Sequence, residues 1–325
     1  MQNYFTRRSL MLGGMLLATG LGQSAWAAGF PERPVTVVVP YSPAGGVDIV
    51  TRLVTTPMAE FLGQSIVVDN KPGGGTNIGM AAVARSTPNG YTLLTASNTL
   101  TTNKALYSKL NFDPATDLIP VGRIGEAPLV VVVNAKSPYK SLAELIAAGK
   151  AKSGALSYGT AGVGSSGHMA SALLEKAGQF KGVHVPYKGG STAVTDLLGG
   201  RLDFMTINPL EVAGHVSSGS LRALAVLNKD GSRLLPQVPT ARSLGVDVQA
   251  TVWWGLVAPK GTPEAVIQTL NAALNKALGT PAVTQTLAEM GATPIGGTPA
   301  QFGSFIKAET RELSEVIRAA DIRAD

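Results

Sequence analysis

Short apolar runs and amphipathic helical patterns alternate along most of this chain. The first apolar run, Val35–Val39, is almost wholly β-branched and predicts a strand buried on both faces. A loop of small residues, 42–46, follows, and apolar positions then recur every fourth residue, which predicts a helix over 47–62. A strand that enters a helix through such a loop leaves unpaired backbone N–H groups at the helix start, and these groups suit an anion.

A second strand–loop–helix unit of the same design lies near residue 160. A predicted strand over 156–159 leads into the loop 160–167, and a helical pattern runs from His168 to residue 177. Strands and helices alternate on both sides of this unit at a spacing that indicates parallel α/β sheets with right-handed crossovers. The other predicted strands are 66–69, 91–96, 129–133, 183–186, 204–207, 221–227 and 251–257.

The order of these elements predicts two lobes, each a mainly parallel sheet flanked by helices. The chain builds one α/β unit and then a second, and the segment after residue 260 has a helical pattern with a proline at or near each helix start. A chain of this kind usually returns to its first lobe. Residues 28–126 and 251–325 are therefore assigned to lobe 1 and 127–250 to lobe 2, and the cleft between the lobes is the expected ligand site.

Composition narrows the range of partners. The chain has 325 residues, of which 45% are hydrophobic and 15% charged, as is typical of a globular protein large enough for two domains. Its formal net charge is +6, but the Lys and Arg residues are scattered, so no nucleic-acid partner is expected. The sequence contains no cysteine, which excludes disulfides, a thiol nucleophile and a thiolate metal site.

The N-terminal segment has the pattern of an export signal. Arg7 and Arg8 precede an apolar run, 10–21, that is too short and too rich in glycine for a stable membrane span. Small residues then stand where a signal peptidase reads, which predicts that residues 1–27 are a signal peptide cleaved after Ala27. The paired arginines resemble a twin-arginine signal, and a general secretory signal is the alternative. The mature protein is expected in the periplasm.

The loop 42–46 has two interpretations. It binds an anion, or it is an ordinary tight turn between a strand and a helix, and taken alone the turn is the better interpretation. Asp48 lies in the first turn of the predicted helix, where a carboxylate caps N–H groups and so competes with a bound anion. Alternatively, Asp48 holds a water molecule or a ligand ammonium group.

The second loop matches the G-x-G-x-x-G pattern over residues 162–167 and invites a dinucleotide interpretation. That interpretation needs an acidic residue about twenty positions further on, where His184, Tyr187 and Lys188 stand instead. Dinucleotide binding is therefore a weak alternative, and no cofactor is expected.

A serine hydrolase is a further alternative. Ser165, Ser166 and His168 lie close together in the sequence, but the G-x-S-x-G elbow is absent, so hydrogen bonding or helix capping is the better role for the serines. The histidines are too far apart to show the spacing of metal ligands, so no metal site is expected.

Neither glycine-rich loop contains Lys or Arg. An anion held between these loops must therefore rely on backbone N–H groups, hydroxyls and water. One helix terminus contributes about 0.3–1 kcal/mol, or about 2 kcal/mol when partly buried. Micromolar affinity requires about 8 kcal/mol. Hydrogen bonds and enclosure of the ligand by lobe closure must supply the rest.

Segments of the chain resemble the substrate-binding receptors of tripartite tricarboxylate transporters, also called Bug receptors. The resemblance covers nearly all of the mature chain and is carried by residues 37–48, 68–79, 88–94, 158–159, 164–168, 184–189, 196–200, 221–226 and 254–259. It implies an α/β fold of the type II-like, two-lobed periplasmic binding protein class. In such receptors two facing βα loops hold a carboxylate, largely through ordered waters.

The resemblance also implies a set of ligand-binding residues in and beside the two loops. These residues are Tyr41, Ser42, Ala44, Gly45, Gly46, Asp48, Asn77, Thr160, Gly162, Gly164, Ser165, Ser166, His168, Tyr187, Asn208 and Trp254. The chain departs from the family pattern at Val47, where a hydroxyl is common, and at Asn208, where an acidic residue is frequent. Trp254 and its neighbour Trp253 are also typical of core or lobe-interface positions.

The predicted function is capture of a small organic carboxylate and its delivery to membrane transporter subunits of the tripartite tricarboxylate type, without chemistry. A sensory adaptor that presents the solute to a membrane sensor would use the same site, and a secreted serine hydrolase is the weaker alternative. The protein is expected to be a monomer. Aliphatic di- or tricarboxylates, amino acids and aromatic acids all remain open as ligands.

Overall fold

The computed structural model describes residues 29–319 and 321–324. The predicted signal peptide and its cleavage site at Ala27 lie outside the described residues. None of the helices in this part of the chain combines the length and the apolar character that crossing a membrane requires.

A six-stranded mixed sheet forms the centre of the first lobe. In order across the sheet, its strands are β11 (Thr293–Gly296), β4 (Leu118–Pro128), β10 (Thr251–Pro259), β3 (Thr92–Ala96), β1 (Val35–Val39) and β2 (Ile66–Asn70). β1 pairs in parallel with β2 and β3, while β10 pairs antiparallel with β3 and β4. Four of the five β1 residues are buried, because the strand has a neighbour on each side and helices cover both faces of the sheet.

A five-stranded mixed sheet forms the second lobe. In order across the sheet, its strands are β7 (Val183–Pro186), β6 (Ser157–Thr160), β8 (Phe204–Ile207), β5 (Val130–Asn134) and β9 (Leu221–Val226). β6 pairs in parallel with β7 and β8, and β5 pairs antiparallel with β8 and β9.

The predicted two-lobed α/β fold is confirmed, but both sheets are mixed rather than mainly parallel. The antiparallel pairs involve β4, β5, β9 and β10, the strands by which the chain leaves one sheet and returns to it. The chain passes directly from β4 to β5 at residue 129, and it returns between the end of β9 and the start of β10. A helix that connects two strands of one sheet makes them run parallel. These strands are instead joined across the lobes, so that requirement does not set their direction.

Ten helices flank the sheets in the described part of the chain. They are α1 (Gly46–Leu62), α2 (Asn77–Ala84), α3 (Thr99–Leu106), α4 (Leu142–Ala151), α5 (Ser166–Gly178), α6 (Gly190–Leu198), α7 (Ala213–Ser217), α8 (Glu264–Leu278), α9 (Pro281–Glu289) and α10 (Pro299–Ala319). α1, α5 and α6 directly follow the parallel strands β1, β6 and β7, so these three helices begin at the carboxyl ends of the strands, on the side where α/β sheets bind ligands.

The C-terminal helix α10 contacts both lobes. It packs on α3 and β4 of the first lobe and reaches α5 of the second. Leu313 and Ile317 of α10 share a small apolar cluster with Leu106 of α3 and Met169 of α5. The lobes are therefore joined by a packed helix as well as by the two passages of the chain.

Candidate ligand-binding site

A small cavity lies between the two sheets at the starts of α1, α5 and α6. The space open to the centres of water-sized molecules is about 40 Å³, enough for roughly three waters. Gly45 and Gly46 come from the first lobe, and Ser165, Ser166 and Gly190 come from the second. Both lobes therefore contribute to the wall.

Three helix N-termini converge on this cavity. Gly45 caps α1 and Gly189 precedes α6, and neither has a side chain to accept from the first N–H groups of its helix. Ser165 caps α5 by accepting a hydrogen bond from the backbone N–H of His168 at 3.3 Å, and Ser166 and Gly167 then face the cavity. The positive ends of three helix dipoles therefore meet at one place, which favours a negatively charged group.

Glycine at these helix starts allows the lobes to approach closely. A Cβ added at Gly46 would lie 3.1 Å from both Asn208 Nδ2 and Glu211 Oε1, which is tighter than ordinary contact. A Cβ at Gly190 would overlap the Glu211 carboxylate, and one at Gly167 would overlap the carbonyl oxygen of Thr206. The backbone at the start of each helix thus packs directly against polar groups of β8 or of the loop that follows it.

Three polar atoms on the cavity wall are shielded from solvent and have no hydrogen-bond partner among the described residues: Asn208 Nδ2, Glu211 Oε2 and Trp254 Nε1. Asn208 is 4% exposed and Trp254 is fully buried. The Oδ1 atom of Asn208 accepts from the backbone N–H of Leu210 at 3.0 Å, so only the Nδ2 donor of this amide lacks a partner among the described residues. Buried polar atoms are nearly always paired, so these three indicate a place where a ligand or ordered water binds.

The titratable side chains on the cavity wall are Glu211 and Tyr41. Burial raises the pKa of Glu211 to about 7, although a hydrogen bond donated by the backbone N–H of Gly46 to its carboxylate acts in the opposite direction. Burial raises the pKa of Tyr41 to about 12, and the Tyr41 hydroxyl lies 3.1 Å from Thr99 Oγ1. No Lys or Arg of the described chain lines the cavity. An anion there would meet N–H donors and dipoles rather than a cation.

Seven of the predicted site residues line this cavity: Tyr41, Gly45, Gly46, Ser165, Ser166, Asn208 and Trp254. The other nine lie behind the wall or beside it. Their hydrogen bonds show what they do in the structure.

The first-loop residues outside the wall hold the loop in shape. Asp48 is buried and accepts hydrogen bonds from the backbone N–H of Ala44 at 3.0 Å, from Arg52 and from Asn70. Ala44 has a φ of 60°, a left-handed conformation that a non-glycine residue adopts at a cost. The Ser42 N–H donates to the carbonyl oxygen of Lys188 at 3.2 Å, which links the loop to the opposite lobe.

The second loop is held by two histidines, the buried His168 and the partly buried His184. Thr160 Oγ1 lies 2.7 Å from His184 Nε2 and 3.2 Å from the donating N–H of Gly162. The N–H of Gly164 donates to His168 Nδ1 at 3.1 Å, and the Gly164 carbonyl accepts from Thr102 Oγ1 in the first lobe at 2.9 Å. These contacts place Thr160, Gly162, Gly164 and His168 in support of the loop rather than on the cavity wall.

Asn77 and Tyr187 also make their contacts outside the cavity. The Oδ1 atom of Asn77 accepts from Asn103 Nδ2 at 2.8 Å. The Tyr187 hydroxyl donates to Asp196 Oδ2 at 2.6 Å. Neither residue lines the cavity in this conformation.

The contacts of the second loop do not form a serine nucleophile with its base. Ser165 Oγ accepts from a backbone N–H, and the Nδ1 atom of His168 accepts from the backbone of Gly164. The hydrogen bonds between described residues include none from Ser165 or Ser166 to a histidine ring, the contact that activates such a nucleophile. Among the same residues, no group of three or more His, Asp or Glu side chains is placed to hold a metal ion.

The sequence interpretation missed Glu211 and Ser97, which also line the cavity. Ser97 directly follows β3, and Glu211 ends a short 3-10 turn, Pro209–Glu211, that follows β8. A lone acidic residue just after a buried strand and an Asn-Pro turn is the signal that could have indicated Glu211. Its proximity to α1 is purely tertiary, since Glu211 lies more than 160 positions after Gly46, the first residue of α1.

Two lobes that enclose a small cavity at converging helix starts define the class of periplasmic solute-binding proteins, and solved proteins of that class share this fold. The family model described as tripartite tricarboxylate transporter family receptor matches residues 50–322. The chain belongs to this family, which confirms the resemblance found in its sequence.

Individual relatives agree with this assignment over nearly the whole chain. Protein BugT of Bordetella pertussis is 37% identical over 316 residues, which cover 96% of this chain and 97% of BugT. MatC from Rhodopseudomonas palustris, solved with bound malate, is 31% identical with a TM-score of 0.85 and covers 89% of this chain and all of its own. An R. palustris protein solved with adipate is 32% identical with a TM-score of 0.87, covering 90% of this chain and 99% of its own.

Proposed function

We propose that this protein is a periplasmic receptor that binds a small organic carboxylate between its lobes and delivers it to a tripartite tricarboxylate-type membrane transporter. The observation that carries the proposal is the convergence of the α1, α5 and α6 N-termini on a cavity with two donors, Asn208 Nδ2 and Trp254 Nε1, that have no partner among the described residues. The malate and adipate bound by two structural relatives are both small carboxylates. The protein carries its ligand unchanged.

The energetics favour enclosure over charge pairing. Three helix ends at about 0.3–1 kcal/mol each fall well short of the roughly 8 kcal/mol that micromolar binding requires. Hydrogen bonds to a charged group contribute about 1.5–3 kcal/mol each, and the asparagine amide, the indole N–H and the first N–H groups of the helices can supply several. Closure of the lobes removes water and makes these bonds effective.

The proposal assigns each part of the chain to the signal peptide or to one of the two lobes. Residues 1–27 direct export and are removed after Ala27, residues 28–126 with 251–325 form the first lobe, and 127–250 form the second. The mature receptor acts as a monomer, since one chain supplies both sides of the cavity.

A calorimetric screen of the mature chain tests the function. Aliphatic monocarboxylates, dicarboxylates, tricarboxylates, amino acids and aromatic acids are titrated separately, with neutral sugars and nucleosides as the comparison set. We expect micromolar or tighter binding of at least one small acid, and mass spectrometry should recover that acid unchanged. Binding of a sugar or nucleoside alone, or conversion of the acid, would refute the proposal. Loss of uptake of the same acid in cells that lack the receptor gene tests delivery.

A further inference from the structure

Glu211 carries a carboxylate to the place where an external anion is expected to bind. The backbone N–H of Gly46, at the start of α1, donates a hydrogen bond to the Glu211 carboxylate. The same carboxylate lies against Gly190 at the start of α6, where a Cβ would overlap it. Glu211 belongs to the second lobe and α1 to the first, so this contact crosses the cleft.

One oxygen of this carboxylate is available to a ligand. Glu211 Oε2 lines the cavity, is shielded from solvent and has no hydrogen-bond partner among the described residues. In the described part of the chain, the other polar atoms on the wall without a partner are Asn208 Nδ2 and Trp254 Nε1, and both are donors. The cavity therefore presents donors that suit a carboxylate and, beside them, one acidic acceptor.

The charges around Glu211 determine which ligand group suits this acceptor. No described Lys or Arg lines the cavity, and the Tyr41 hydroxyl stays neutral because burial raises its pKa to about 12. Asp48, two residues into α1, is already bound to Arg52, Asn70 and the Ala44 backbone. A second ligand carboxylate at Oε2 would meet a like charge, whereas a cationic nitrogen would gain a charge-assisted hydrogen bond.

We propose that Glu211 is the specificity-determining residue of the site, and that it selects an acid carrying a cationic nitrogen near its carboxylate. The nitrogen is held by Glu211 Oε2, and the carboxylate is held by Asn208, Trp254 and the helix N–H groups. This inference rests on the proposed function, because it names the class of acid that the receptor binds. Amino acids have this chemistry, and plain dicarboxylates lack it.

Matched pairs of acids that differ only in an amino group test the inference. Aspartate is compared with succinate, glutamate with glutarate, and alanine with propionate, by calorimetry on the mature chain at about pH 8, where a carboxyl group with a pKa of about 7 is ionised. For at least one pair we expect wild type to bind the amino-bearing acid more tightly. Glu211→Gln should lower the affinity for that acid about ten- to hundredfold, as expected for loss of a charged hydrogen bond.

Two further variants separate charge from structure. Glu211→Asp retains the charge, so it should keep the preference for the amino-bearing acid even if both affinities fall. Glu175→Gln is the matched control, because Glu175 is also a buried glutamate of the second lobe that accepts from a backbone N–H, that of Gly182 at 2.7 Å, away from the cavity. It should keep the wild-type ratio of affinities.

Distinct outcomes would overturn the inference and the proposed function. The inference alone fails if wild type binds only the acid without the amino group. It also fails alone if Glu211→Gln and Glu211→Asp change the affinities for both acids of a pair equally, because Glu211 then does not select the nitrogen. If no acid of any kind binds wild type while a sugar or nucleoside does, the proposed function fails, and the inference fails with it.

Discussion

The imidazole rings of His168 and His184 stack with their centroids 3.8 Å apart and their planes 11° apart. His168 accepts from the Gly164 backbone and His184 contacts Thr160, so the stacked pair holds the second loop at its start and near its middle. Burial lowers the pKa of His168 to about 3, with the neighbouring His184 as a smaller cause, and burial lowers the pKa of His184 to about 4. Both rings are therefore neutral at neutral pH.

Acidification should reduce what this histidine stack contributes to stability. Below about pH 6.5 the unfolded histidines bind protons and the folded ones do not, so each histidine's contribution to the free energy of unfolding falls by up to about 1.4 kcal/mol per pH unit. Urea denaturation of wild type and His184→Gln at about pH 7.5 and about pH 5 measures this difference. We expect the stability advantage of wild type to shrink at the lower pH.

The stability of wild type must be compared with that of a variant, because Glu211 changes the free energy of unfolding with pH in the direction opposite to the histidines. Its raised pKa of about 7 means that the folded state binds a proton first, so its contribution to stability grows as pH falls below 7. This contribution cancels between wild type and His184→Gln. His215→Gln is the control, since His215 lies outside the stack. An advantage over His184→Gln that does not change with pH would contradict the lowered pKa of His184.

Ligand affinity should increase with pH if Glu211 binds a cationic nitrogen. Ionisation of Glu211 near pH 7 creates the charge that attracts the nitrogen, so affinity for the amino-bearing acid should rise between about pH 6 and about pH 8. Calorimetry across this range measures the slope. Glu211→Gln should have nearly constant affinity, and an equal slope in both proteins would assign the titration to another group.

A negative charge at the start of α1 should weaken ligand binding strongly. Gly45 has a φ of −85°, and a Cβ there meets its nearest neighbours at 3.6 Å, so Gly45→Asp introduces a carboxylate without backbone strain or overlap. We expect affinity for the acid to fall at least about tenfold, because the new charge competes for the helix N–H groups and repels the ligand's carboxylate. Gly214→Asp, at an open helical glycine, is the control and should bind normally. Unchanged affinity in Gly45→Asp would remove the α1 terminus from the site.

Asp48 should matter for stability far more than a surface aspartate. Replacement by Ala removes the bonds to the Ala44 backbone, Arg52 and Asn70, and should lower the free energy of unfolding by about 1.5–3 kcal/mol. Asp69→Ala breaks an exposed ion pair with Lys71 and should cost less than about 1 kcal/mol. Urea denaturation compares the two variants. Equal costs would show that Asp48 does not hold the strained Ala44 turn.

The sequence predicted the parts of the fold that local patterns control. β1 is found at its predicted residues, and α1 begins one position earlier than expected, since β-branched runs and fourfold apolar spacing are local signals. The motif 68–79 and the other motifs of the family resemblance indicated the family, which the comparisons confirm. β4 and β11 were missed because Gly, Pro and charged residues interrupt their sequences, and their pairing with distant strands supplies the stability.

Local sequence pattern predicted the candidate site only where it follows the two glycine-rich loops, whereas Asn208 and Trp254 were predicted from the family resemblance. Gly45, Gly46, Ser165 and Ser166 stand on the cavity wall because a loop after a strand places them there. Glu211 could not be found in this way, since its neighbours α1 and α6 are brought to it by the packing of the lobes. The mixed character of the sheets was missed for a similar reason, because strand direction at the crossings depends on the path of the chain between lobes.

The packing of α10 against both lobes determines where the axis of any closing rotation lies. A helix that touches α3 and α5 at once lies near the pivot, where rotation of the lobes produces little displacement. A fluorescent reporter fused after α10 would therefore change its signal little when the lobes close. A dye placed on the rim of the cleft, as far as possible from the pivot, would travel furthest and give an optical sensor its largest signal.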